Sequence, residues 1–125
     1  MKKLIAMRKI LFVAAVGLLL AACGGAGRPE KSIEECWKAL SKGDTAAAVA
    51  LMKTTPEEVE LYRSIFAEQS GELQRAGGFD ELEITGSSVG DEDATIDAVV
   101  VLKDGQRIEG SYRLVKVDGR WLLTE

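Results

Sequence analysis

Ala94-Thr95-Ile96-Asp97-Ala98-Val99-Val100-Val101-Leu102-Lys103-Asp104-Gly105 is the stretch whose reading decides the fold. Ala94, Ile96, Ala98, Val100 and Leu102 fall two apart, so a strand puts all five on one face. Beyond Gly105 the alternation continues through Ile108, Gly110, Tyr112 and Leu114. A two-residue turn at Asp104-Gly105 would place Ile108 opposite Val101 and divide the apolar residues between the two faces. A three-residue loop at Lys103-Asp104-Gly105, with Gly105 left-handed, places Ile108 opposite Val100 and Tyr112 opposite Ile96. Register is set by the buried face, so the three-residue loop is expected. Asp118-Gly119 then makes a two-residue hairpin that brings Trp121 and Leu123 beside Leu114 and Tyr112. Upstream, Leu82 and Ile84 alternate with Glu81 and Glu83 ahead of a turn at Gly90-Asp91-Glu92-Asp93. The expectation is a four-strand antiparallel meander.

Before Phe79 the period is helical. Ile33, Cys36, Trp37 and Leu40 make one apolar stripe, with Ser32 and Glu35 spaced as a capping box and Gly43 as the stop. Asp44 or Thr45 can cap a second helix that runs through an Ala-rich segment to Met52. Thr55-Pro56-Glu57-Glu58 reads as the start of a third helix, with Val59, Tyr62, Phe66 and Leu73 along one face and Leu61 and Ile65 beside it. This helix fades near Ala76 and Gly77-Gly78 breaks it. Helices followed by an antiparallel sheet give an α+β class, in which one sheet face is buried against the helices.

The helix-then-sheet order, the Ala-rich second helix, the Pro-started third helix and the ending Tyr112-Arg113-Leu114-Val115-Lys116-Val117-Asp118-Gly119-Arg120-Trp121 resemble the NTF2-like, or cystatin-like, superfamily. The resemblance is nearest to small DUF4878-type bacterial lipoproteins and covers residues 30–125. It implies a cone of helices on a curved sheet, with a pocket at its mouth in many members. Trp37, Tyr62, Phe66, Ile96, Tyr112 and Trp121 are the candidates to line such a pocket, or to fill the cone as core. Some members are isomerases or cyclases with an Asp, Tyr or His in the pocket. Asp97 is the only acid within an apolar strand, yet the alternation directs it away from Ile96 and out to solvent. No catalytic residue is therefore assigned.

The first 23 residues read as an address. Lys2, Lys3, Arg8 and Lys9 precede an apolar run from Ile10 to Ala22, and no acid occurs before Glu30. A start at Met1 or at Met7 gives the same layout, that of a secretory signal peptide. Leu20-Ala21-Ala22-Cys23 resembles the lipobox of bacterial lipoprotein precursors. That resemblance implies cleavage before Cys23 by the signal peptidase that recognises Leu20, Ala21 and Ala22, and diacylglyceryl and acyl (palmitate-type) chains on Cys23. Gly24, where an Asp would signal inner-membrane retention, implies sorting to the cell outer membrane, facing the periplasm. The organisation is then a signal peptide at 1–22, a lipidated cysteine and Gly-rich tether at 23–29, and one domain at 30–125.

The 125 residues carry 16 Lys+Arg and 20 Asp+Glu. Four of the basic residues precede Cys23, leaving 12 basic against 20 acidic after it, a formal −8. That balance argues against nucleic acid as a partner. There is no histidine, and Cys36 is the only thiol besides Cys23, so neither a disulfide framework nor a His-based metal or acid–base site is expected. Asp91-Glu92-Asp93 reads as a solvated turn, because three consecutive acids cannot all face one calcium ion. No cofactor or metal is expected. Val99, Val101, Val115, Val117 and Leu122 share the outer face of the sheet, which makes that face a candidate surface for a second copy or an envelope partner. The reading that results is a membrane-anchored, non-enzymatic binding or interaction module. The alternative is an isomerase-like envelope enzyme acting on a small hydrophobic molecule.

Overall fold

Helix α1 (Pro29–Ser41) begins at a proline, whose fixed φ suits a first turn and whose missing N–H leaves no donor unpaired there. The structure is a computed structural model that describes residues 27–124. Leu20, Ala21, Ala22 and Cys23 lie outside the described residues. The expected Ser32–Glu35 capping box is not formed. Ser32 sits inside α1, is buried, and donates its Oγ–H to the Trp121 carbonyl at 2.7 Å. The Ser32 hydroxyl donates to a long-range carbonyl instead of accepting from a local N–H, and Pro29 starts the helix a turn earlier. Lys42 ends α1, and Gly43 follows at φ 77°.

In α2 (Thr45–Ala50), Asp44 is the cap and accepts from the Ala47 N–H at 3.1 Å. The helix stops short of Met52 because the segment after it runs along the sheet edge. Helix α3 (Val59–Arg75) starts later than its sequence signal. Glu58 reaches back to accept from the Thr55 N–H at 3.0 Å, but residues 56–58 form a turn and regular helix begins only after them. Tyr62, Phe66, Ser70 and Leu73 are the buried face of α3, and Gly77 and Gly78 break the chain at φ 91° and 100°.

Four strands follow: β1 (Phe79–Val89), β2 (Asp93–Leu102), β3 (Arg107–Val117) and β4 (Arg120–Thr124), hydrogen-bonded in that order. All neighbours are antiparallel. The β2–β3 register is the one that parity demanded: Ile108 lies opposite Val100 and Tyr112 opposite Ile96, with Gly105 at φ 94°. Asp118 and Gly119 both take positive φ in a two-residue turn, and Leu123 faces Leu114. Trp121 faces Lys116 rather than reaching Tyr112, since β4 ends at Thr124 opposite Arg113.

Strand β1 carries irregularities at Asp80 and Thr85, where one extra residue breaks the pairing with β2. Such bulges bend a strand and deepen its twist, which gives the sheet its curvature. At the opposite edge, Met52 forms a parallel bridge with Leu123, and the Lys53 N–H donates to the Leu123 carbonyl at 2.7 Å. The concave face holds Ala94, Ile96, Ala98, Val100 and Leu102, all buried, and helix α1 packs against β1 and β4. Ile33, Ile96, Val100 and Leu114 are fully enclosed. Ser70 Oγ donates to the Leu40 carbonyl at 2.6 Å, and Phe79 N–H donates to Ser41 Oγ at 2.8 Å, joining α3, α1 and the start of the sheet.

Candidate functional site: an apolar cleft between the helices and the sheet

A cleft of about 240 Å³ opens between α1, α3, the middle of β3 and the end of β4. The apolar stripe of α1 supplies Ile33, Cys36, Trp37 and Leu40, because residues at this spacing share one helix face. Phe66 and Gln69 come from α3, and Met52 from the segment that follows α2. Tyr112 and Leu123 form the floor, with Ser111 and Thr124 beside them. All these side chains are uncharged. The polar groups they offer are a phenol, an indole N–H, an amide and a thiol, while the Ser111 hydroxyl is bonded to Asp97 on the opposite face of the sheet.

Trp37 and Tyr112 form the polar corner of the cleft. The Trp37 indole N–H lies near the phenol oxygen of Tyr112. Burial pushes the Tyr112 pKa above its ordinary value, the Trp37 N–H pulls it part of the way back, and nearby Cys36 adds a further rise. Burial also raises the Cys36 thiol to about 12. Both groups are thus neutral at physiological pH. Gly110 lets Tyr112 lie flat along its strand, since a Cβ there would come within 3.3 Å of the phenol oxygen.

Of the candidates named from sequence, Trp37, Phe66 and Tyr112 meet at this cleft. Tyr62 packs tilted against Phe66, ring centres 6.2 Å apart, and is buried in the core with Ile96. Trp121 stands at the start of β4 against a different hollow. Asp97 is exposed on the convex face and accepts from Ser111 Oγ at 2.9 Å. Met52, Gln69 and Leu123 were not found from sequence as lining residues.

The convex face does not present one apolar expanse. Val99 is only 6% exposed, and the ion pair between Glu83 and Arg107, 2.7 Å, links the two strands that flank it. Val115, Val117 and Leu122 are half-buried at the other end. Between them lie the paired polar rows Asp97–Ser111 and Thr95–Arg113.

Three helices followed by a curved four-strand antiparallel sheet are the NTF2-like fold, and comparison with solved structures agrees. A Campylobacter jejuni NTF2-like protein, given there as a candidate transpeptidase, matches with a TM-score of 0.68 at 21% identity, over 79% of this chain and 99% of that one. A Shewanella oneidensis NTF2-like protein of unknown function matches at 0.55 and 13% identity, over 77% of this chain and 95% of that one. The SEC-C motif protein RPA3114 of Rhodopseudomonas palustris matches at 0.61 and 22% identity, over 85% and 82%. At these identities the likeness is one of fold. No protein-family model matches the chain, and no curated protein matches it.

Proposed function

We propose that this chain is a DUF4878-type bacterial lipoprotein, held to the cell envelope by acyl chains on Cys23. In this reading its NTF2-like domain is a binding module, not an enzyme, and takes a small apolar molecule in the cleft over Tyr112. The observation that supports binding is the uncharged cleft with a phenol and an indole paired at its wall. Removing apolar surface from water stabilises a complex by about 25 cal/mol per Å², while a few fixed polar groups orient the ligand. The cleft residues hold no ionised group to start proton transfer. Asp97, which an isomerase-like arrangement would need facing the ligand, lies on the other face of the sheet.

The anchoring half rests on the sequence Leu20-Ala21-Ala22-Cys23 and the basic and apolar segments before it. One acyl chain binds a bilayer only marginally, whereas two or three hold a protein firmly. Gly24 favours the outer membrane, with the domain facing the periplasm.

Two experiments test the two halves separately. A fluorescent apolar probe titrated into the purified chain should bind and quench Trp37, and Gln69→Trp, which narrows the cleft, should abolish that binding. Equal binding by the variant overturns the cleft reading. Cys23→Ala should move the protein from the membrane fraction to the soluble fraction, and unchanged partitioning overturns the anchor.

A further inference from the structure

A second hollow, about 160 Å³, opens where the chain leads into α1. Arg28, Lys31 and Arg120 line it, against a single acid, Glu35. In a chain with more acids than bases, this local excess of positive charge runs against the composition. Two of the cations flank the start of α1, and the third comes from β4, far away in sequence. The buried bond from Ser32 Oγ to the Trp121 carbonyl, 2.7 Å, fixes the two elements and so holds the cations in a set relation. Lys116 adds a fourth positive charge, its Nζ 5.1 Å from the centre of the Trp121 ring that lines the same hollow. Among the described residues, Arg28, Lys31 and Arg120 form no ion pair. No side chain caps the first turn of α1 by a hydrogen bond, and Glu30 is the one acid within that turn.

We propose that this hollow binds a phosphate group. Guanidinium groups match phosphate oxygens in paired hydrogen bonds, and the ammonium of Lys31 adds a point charge. The phosphate belongs either to a free phosphate or phosphate ester, or to the headgroup of an anionic phospholipid. Gly27 borders the hollow and lies four residues after Cys23. On the anchored reading above, that short tether turns the hollow toward the bilayer, and only the lipid source rests on that reading.

The test uses the full chain in neutral detergent and amide shifts of Ser32, Arg120 and Trp121. Inorganic phosphate that shifts these signals, while chloride at matched ionic strength does not, identifies a free-phosphate site. Shifts only with phosphatidylglycerol added to the micelles, and not with phosphatidylcholine, identify the headgroup. Binding to phosphatidylglycerol vesicles should fall roughly fivefold for each of Arg28→Gln, Lys31→Gln and Arg120→Gln. Lys42→Gln and Arg75→Gln, which change the same charge elsewhere, should leave it within twofold. Arg120→Lys should retain most binding, which separates charge from fold. Equal losses in the control variants, or no shift with either phosphate source, overturn the site. The inorganic phosphate arm needs no membrane, so its outcome stands apart from the fate of the anchor.

Discussion

Ile96 and Asp97 are neighbours in the chain and strangers in the fold: one has none of its surface in water, and the other stands on the convex face bonded to Ser111. The concave face of the sheet is a continuous apolar floor that ends in the cleft, and the convex face alternates polar rows with half-covered valines. The difference teaches that a strand period of two decides which side chains reach the cleft as well as how the core packs. Asp97, in the middle of β2, is directed away from the cleft by the same alternation that builds the cleft's floor.

The contrast can be broken most forcefully at Ile96. Ile96→Asp buries a carboxylate on the concave side and should cost about 4 kcal/mol or more, leaving the domain unfolded in far-UV circular dichroism. Ser32→Ala leaves the Trp121 carbonyl without its partner and should cost about 1–3 kcal/mol in urea denaturation. Cys36 sharpens the contrast through pH. Its folded thiol ionises near 12 and its unfolded thiol near 9.0, so the folded state holds the proton more tightly. Stability should therefore be unaffected below pH 9 and fall by about 1.4 kcal/mol per unit above it, up to about 12. Cys36→Ala should remove that component of the alkaline slope. Asp97→Asn, on the convex face, should change stability by less than about 0.5 kcal/mol and leave probe binding in the cleft unaltered. A loss of probe binding there would break the separation of the two faces.

The sheet was legible because its signals are local and periodic. Parity at Lys103-Asp104-Gly105 was enough to pair Ile108 with Val100. Trp37, Phe66 and Tyr112 could be named because aromatic residues recurred on faces that had to be inward. What could not be read depended on partners distant in sequence. Ser32 has the spacing of a cap, and only the Trp121 carbonyl, 89 positions away, explains why it is something else. The bulge at Asp80 carries no proline or glycine of its own, and the one at Thr85 is marked only by Gly86 beside it, which the alternation alone does not single out. Met52 enters the cleft only because its segment adheres to Leu123, and Arg28 meets Arg120 only after α1 has docked on β4.

That adhesion of Met52 to Leu123 reaches beyond the cleft. A sheet rim normally offers a ladder on which another molecule can grow, and here the chain seals one rim with its own backbone while two kinks spoil the other. Copies packed side by side at high local density are thereby denied a straight template for fibre growth.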